Sequence, residues 1–570
     1  MNTVDGVRLD EDNAEFNLAV DCLNNTRKNI YLTGKAGTGK TTFLKYICGT
    51  TKRNFAVVAP TGVAALNARG QTIHSLFHIR PSVYPPNDKR LRLKAPSEDP
   101  DKNTFYNNFP VSKETNSLLQ KLDVLIIDEV SMVRCDLLDV VDLILQVRRN
   151  RIGIPFGGVQ VVFIGDPFQL APITKGNERD ILDEHYNTPF FFSSRAYTDS
   201  TPLYIELKKI YRQSELDFIH LLNGIRINEV SESRLNDLNK RHVAEAEYKP
   251  VENEITLTTH NETAQAINER RNTALASQEY QYQGEVSGKF DSKDLPTEMT
   301  LKLKLGAQVM FVKNDPAKKF HNGKIGTISK LSESEIFVDL GEGHIIPVER
   351  TKWKNITFEW SDESQSIVER DLGEFIQYPI KLAWAITSHK SQGLTFEHVY
   401  ADLNGSFASG QVYVALSRCT SLNGLRLRSK IGRTAIITDP DVLEFSKMHT
   451  PETLIVDAIQ HGKADRYYAE ARGCLHAAQF TESYDKFILA IKHRNDIATD
   501  SFKSSVLNFL SDNKRCMDEN DDLRRQRDNQ AQRIAVLDRR NAELEEMVQK
   551  QQDEIEFHKN RKWYNILFKR

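Results

Sequence analysis

At 570 residues, 39% of them hydrophobic and including 28 Phe and 18 Tyr, the chain exceeds a single core and predicts roughly three to five domains. Its 76 basic and 78 acidic residues leave a net charge of −2, which excludes polyanion binding by bulk charge and confines any such role to a local groove. Six scattered cysteines without a C-x-x-C pair argue against a zinc site or disulfide framework, and a polar start without any membrane-length apolar run predicts a soluble, cytoplasmic protein with no membrane partner.

Residues 1–28 have a helical pattern, with Phe16, Ala19, Val20 and Leu23 on one face. A short apolar run, Ile30 to Leu32, then leads into G-x-x-x-x-G-K-T, with Gly34, Ala36, Gly37, Thr38, Gly39, Lys40, Thr41 and Thr42 ahead of a helical segment. Strand, glycine loop and helix in that order make a P-loop. Its backbone N–H groups and helix N-terminus suit phosphate, Lys40 reaches the β- and γ-phosphates, and Thr41 offers a hydroxyl to Mg²⁺.

A second strand, Phe55 to Ala59, runs into Pro60-Thr61 and a loop–helix, followed by a Thr72-Ile73-His74-Ser75 turn. Residues 80–118 turn polar and proline-containing. Within them Lys89 to Lys94 alternates with period two, which as a strand sets Arg90, Arg92 and Lys94 on one face, either as a hairpin touching nucleic acid or as a charge-protected edge. Strand Val124 to Ile127 ends at Asp128-Glu129, where Asp128 suits Mg²⁺ and Glu129 the attacking water. Strand Val159 to Ile164 ends near Gln169, a partner for the γ-phosphate or its water. A second sheet is expected from Ile255–Thr259, Val399–Asp402 and Ala435–Thr438. Near them lie Thr387 to Gln392, containing His389 and Lys390, and two arginines able to offset transition-state charge, Arg212 and Arg418.

Taken together, GKAGTGKTT, APTGVAALN with TIHSLF, IIDEVSM, GDPFQLAPI, IYRQ, AITSHKSQGLTF and YVALSRCT resemble superfamily 1 helicases, and more narrowly the PIF family, relatives of the RecD-like enzymes. The resemblance spans residues 10–440. It implies an α/β fold of two RecA-like lobes with ATP and Mg²⁺ between them, and 5′→3′ unwinding of DNA in replication, repair or recombination. It implies ATP chemistry at Lys40, Thr41, Asp128, Glu129, Gln169, Arg212 and Arg418. It implies that single-stranded DNA and DNA junctions pass near Pro60, Thr61, His74, Ser75, His389 and Lys390. Where the family has an adenine-reading glutamine upstream of the P-loop, this chain has Asn17, one methylene shorter. Two other readings stay open, a nucleotide-gated scaffold and an RNA translocase.

The expected lobes are residues 1–205, with the small hairpin region 80–118, and residues 206–450. Short strands between 305 and 358 predict an inserted β-barrel, which the family carries as a Src-homology-3-like module. Residues 451–512 read as a helical hairpin, either tetratricopeptide-like or ordinary. From 513 to 558 a heptad frame sets Ile534, Asn541, Val548 and Ile555 at a, and Leu523, Leu537 and Leu544 at d, with Gln530 and Gln551 also at d. That predicts a short coiled coil, hence a homodimer or partner-docking helix, against the alternative of a solitary solvated helix. Residues 559–570 form a basic-aromatic tail.

Overall fold

The computed structural model describes residues 3–567, except 5, 6, 9, 11, 100, 175, 214, 245, 291, 293, 294, 316, 318, 342, 362, 365, 404, 405 and 407; side chains beyond Lys559 lie outside it, and with them most of the basic-aromatic tail. Contacts divide the chain into two units, residues 1–463 and 464–570.

The first unit is built on two parallel sheets. Strands β1 (Ile30–Gly34), β2 (Phe55–Ala59), β3 (Gln71–Thr72), β4 (Val124–Ile127), β5 (Gln160–Ile164) and β6 (Leu203–Leu207) lie in the order β3-β2-β4-β5-β1-β6. β1, β4 and β5 are buried at every residue, as strands of a parallel sheet covered on both faces must be. Helices α1 (Ala14–Asn25) and α2 (Lys40–Thr50) cover one face through Phe16, Leu23, Phe43 and Ile47. The expected boundary at 205/206 falls inside β6, whose Leu207 pairs with Gly34.

The second sheet holds β7 (Ile255–Thr258), β8 (Ala385–Thr387), β9 (Val399–Asp402) and β10 (Leu425–Leu427), all parallel, in the order β8-β7-β9-β10. Its fourth strand is β10. The expected strand Ala435–Thr438 does not form; a 3-10 turn, Arg433–Ala435, stands there and Ile436 enters the core without pairing.

Between β7 and β8 lies an antiparallel module. Five strands, in the order Ile345–Val348, Ile336–Asp339, Ile325–Leu331, Gln308–Phe311 and Ile380–Leu382, form a sheet whose outer members do not pair among the described residues. A two-stranded sheet, Glu279–Gln283 with Thr300–Lys304, shares its core through Tyr282, Leu301 and Leu303. The module is thus an open sheet with a cover, drawn from a wider stretch than 305–358. A long hairpin, Thr351–Ser361 with Ser366–Gln377, extends from it and packs Phe358, Ile356 and Trp360 into the core beneath the first sheet.

No strand forms over Lys89–Lys94. A 3-10 turn, Lys89–Leu91, takes its place, because nearby carboxylates use the arginine donors. Arg90 binds Asp88 at 2.6 Å and Arg92 binds Asp99 at 2.6 Å.

After the second sheet the chain returns to the first. Phe445, from helix Pro440–Ser446, stacks on Phe192 with centroids 4.2 Å apart and joins the core around Tyr31 and Phe191. The next helix, Glu452–His476, packs Ile455 and Ile459 against α1 and α2. Gly462 meets α1 so closely that a Cβ there would stand 1.8 Å from the Asn25 carbonyl oxygen. Gly462→Ala is therefore expected to destabilise the first unit by at least about 1–3 kcal/mol. Gly473→Ala on the same helix, where a Cβ meets nothing within 4 Å, is expected to stabilise by about 0.5–1 kcal/mol. Calorimetry of both variants decides it, and equal effects would refute the contact.

The second unit contains the end of that helix, helix Phe480–His493 and one helix running from Asp500 to Leu567. Tyr468, Phe487 and Phe502 pack ring to ring, and the Ser483 hydroxyl donates to the Ala471 carbonyl at 2.8 Å. The helical hairpin therefore has a third helix, continuous with the expected coiled-coil segment. None of the described helices is long and apolar enough to cross a membrane.

Candidate active site

The P-loop turns at Gly37 and Gly39, with φ of +84° and +94°, backbone that side chains with a Cβ rarely adopt. Gly39 caps α2, so the first amides of that helix face the loop. Lys40 Nζ donates to the Gly34 and Lys35 carbonyls at 2.5 and 3.1 Å, and Thr38 Oγ1 donates to Lys35 O at 2.9 Å. Burial pushes the Lys40 ammonium down, opposed by the Asp166 and Glu129 charges. Thr41 and Thr42 are exposed in the first turn of α2.

Asp128 and Glu129 end β4, beside the loop. Glu129 has left-handed backbone, φ 51° and ψ 44°, uncommon for this residue type and a strain that clusters at functional sites. Burial, then the Glu129 charge, push the Asp128 carboxyl up to about 7. Burial raises Glu129 as well, against the pull of Lys40 and Arg418. Two half-buried carboxylates thus stand beside one half-buried ammonium at the strand ends.

Gln392 of the second sheet closes this corner. Its Nε2 donates to Glu129 Oε2 at 2.8 Å and to Gln169 Oε1 at 3.3 Å. Arg418 is 1% exposed and donates to Val414 O at 2.9 Å and Ser417 Oγ at 3.0 Å. Burial lowers its pKa, and the Glu129 charge opposes that. Arg212 donates to Ser417 O at 3.2 Å, and burial, then Arg418, hold its guanidinium down to about 9. Two arginines and two carboxylates therefore meet at the seam between sheets.

A second link was not foreseen from sequence. Asp166, fully buried, accepts from Arg226 Nη2 at 3.0 Å, and Arg226 lies over the Phe168 ring at 3.9 Å. Tyr413 OH donates to Asp166 Oδ2 at 3.3 Å and accepts the Ala36 N–H of the P-loop at 2.9 Å. Asp166 lies within GDPFQLAPI and Tyr413 within YVALSRCT, but Arg226 belongs to no motif, only to the buried face of helix Leu216–Arg226.

Asn17 is half-buried in α1. At the start of that helix, Asn13 Nδ2 donates to Tyr211 OH at 3.0 Å, and the Tyr211 ring lies 3.6 Å from where a Cβ on Gly39 would stand. The residues expected near DNA sit on turns, or in the one-turn helix Ile73–Leu76, after strands of both sheets. Pro60 and Thr61 follow β2, where Thr61 Oγ1 accepts the Ala64 N–H at 3.2 Å. His74 and Ser75 follow β3, and His389 and Lys390 follow β8. Burial pushes both imidazoles below their ordinary pKa, which favours their neutral form. These positions line the carboxyl ends of the strands, where open α/β sheets bind ligands.

This arrangement of strand-end motifs recurs among known proteins. A PIF1-like helicase family model matches residues 9–233. The chain is 30% identical over 426 residues to the ATP-dependent DNA helicase Pif1 of Bdellovibrio bacteriovorus, covering 74% of this chain and 88% of that one. It belongs to the PIF1-like helicase family. The human ATP-dependent DNA helicase PIF1 is 32% identical over 431 residues, of which this family member spans 61% of the length. The crystal structure of Bacteroides sp Pif1 in complex with ADP-AlF4 is 37% identical, with a TM-score of 0.69 over 76% of this chain and 96% of that one. A structure of Bacteroides Pif1 bound to ssDNA matches over the same shares with a TM-score of 0.53.

Proposed function

We propose that this chain is an ATP-dependent DNA helicase that translocates 5′→3′ on single-stranded DNA and acts at DNA junctions in replication, repair or recombination. The observation that carries the reading is Gln392, donating across the seam to both Glu129 and Gln169. Nucleotide in the P-loop then bears directly on how the second sheet sits against the first. In this reading Gly34, Ala36, Gly37, Thr38, Gly39, Lys40, Thr41 and Thr42 hold the phosphates and Asn17 lies toward the base. Glu129 and Gln169 position and deprotonate water, and Arg212 and Arg418 offset the charge that develops.

The Thr41 hydroxyl and Asp128 carboxylate are hard oxygen donors, and the crowding of Asp128 by Glu129 is relieved by a cation. They fit Mg²⁺, which takes one or two protein ligands and completes its shell with water and phosphate. When bound, Mg²⁺ would neutralise phosphate charge. Pro60, Thr61, His74, Ser75, His389 and Lys390 suit a backbone-tracking grip, since hydroxyls, turn amides and neutral imidazoles contact phosphate and sugar without reading sequence.

The test is ATP turnover with and without single-stranded DNA, and unwinding of forks with a 5′ or a 3′ tail. Strong stimulation, a 5′-tail requirement and loss of both activities in Lys40→Ala are expected. Turnover that ignores DNA would favour the nucleotide-gated scaffold, and stimulation by RNA alone the RNA translocase.

A further inference from the structure

The helix Asp500–Leu567 carries a row of exposed apolar side chains along the heptad seam: Leu523, Ile534, Leu537, Leu544, Val548 and Ile555, each 50–61% exposed. Six large side chains in one stripe are more than a solitary solvated helix leaves in water. The flanking e and g positions say what covers them. In a parallel, in-register pair each g residue faces the e residue five places on in the other chain. Here that sets Glu519 against Arg524, Arg533 against Asp538, Arg540 against Glu545, and Glu554 against Lys559, each in both directions. The two remaining pairs in this span, Gln526 with Ala531 and Met547 with Gln552, are neutral, and none is like-charged.

We propose that residues 516–559 form a parallel, in-register, two-stranded coiled coil with a second copy of this chain. This goes beyond the helicase reading and does not rest on it. The charges that make the pairs are otherwise little used. Among the described residues, no ion pair within the helix engages Arg533, Asp538, Arg540, Glu545 or Glu554, and Arg524 reaches Asp521 only at 3.8 Å. Overlapping the same span antiparallel about its middle faces g against g, which sets Arg540 against its own copy. Asn541 at an a position favours the parallel pair, where two such side chains meet. The polar Asn520 and Arg527 at a, and Gln530, Gln551 and His558 at d, weaken the seam and leave the e and g charges to fix partner and register.

The test uses the full chain without nucleic acid. Sedimentation at micromolar concentration is expected to give twice the 65.2 kDa of one chain. Arg540→Glu turns two attractive pairs per dimer into repulsive ones and is expected to weaken self-association about tenfold. Adding Glu545→Arg restores the pairs in reversed sense and is expected to restore the dimer. Both positions are exposed on one helix face, so neither change disturbs the monomer. Cys516 is exposed at a d position seven residues before Leu523, so mild oxidation is expected to cross-link the dimer, and Cys516→Ser to abolish that. A chain that stays monomeric, a dimer indifferent to Arg540→Glu, or a dimer that does not cross-link at Cys516 would each overturn the proposal.

Discussion

Glu129→Gln is expected to lower DNA-stimulated ATP turnover by about 10²–10⁴-fold, the usual worth of a positioned general base. The substitution isolates the proton acceptor. A glutamine keeps a carbonyl oxygen able to accept from Gln392 Nε2, which now donates to Glu129 at 2.8 Å, so the cross-seam link survives. The left-handed backbone at this position also carries over unchanged. Nucleotide affinity is therefore expected to stay near wild type, with the loss entirely in kcat. Steady-state turnover at saturating single-stranded DNA, set beside equilibrium binding of a fluorescent nucleotide, separates the two. A loss smaller than tenfold, or one confined to binding, would remove Glu129 from the water-activating role.

Arg226→Ala is expected to cost about 3–5 kcal/mol, since it strands a buried charge on Asp166. The guanidinium is 9% exposed and its partner 0%, so water does not replace the lost donor. Burial alone would raise the Asp166 carboxyl, yet Arg226 and Lys40 hold it below its ordinary value. A carboxyl lowered in the folded state contributes stability above its unfolded pKa and loses it as pH falls through the lowered folded value. The gap between wild type and Arg226→Ala is thus expected to be full at pH 7 and to narrow in acid. Combining Arg226→Met with Asp166→Asn removes both charges and is expected to cost less than Arg226→Met alone. Urea denaturation across pH measures all of these, and a flat difference down to low pH would show that the pair is not the source.

The first sheet and its strand ends were legible because each motif follows an unbroken apolar run, and parallel strands covered on both faces must read that way. Lys40, Asp128, Glu129 and Gln169 could be placed on the same edge from that pattern alone. Arg226 could not. Its partner lies sixty positions away, and nothing local separates a buried arginine on an amphipathic helix from a solvated one. The period-two run at Lys89–Lys94 predicted a strand because alternation carries no information about nearby carboxylates, and Asp88 and Asp99 turned the arginines inward. The hairpin of residues 351–377 went unseen for a related reason. Its strands are charged along much of their length, and what fixes them is distant, the packing of Phe358 and Trp360 beneath another sheet.

The return of the chain to its first sheet sets an order of events during synthesis. The core around Tyr31 and Phe191 is completed by Phe445, and the layer of α1 and α2 is completed by Ile455 and Ile459. While the ribosome works through the second sheet, these apolar surfaces stay open, since the residues that cover them have not been made. Nascent chains halted after β6 therefore expose apolar surface that the finished protein buries, the kind of surface that makes partly made chains prone to aggregate. The first sheet, although encoded first, is among the last parts to be sealed.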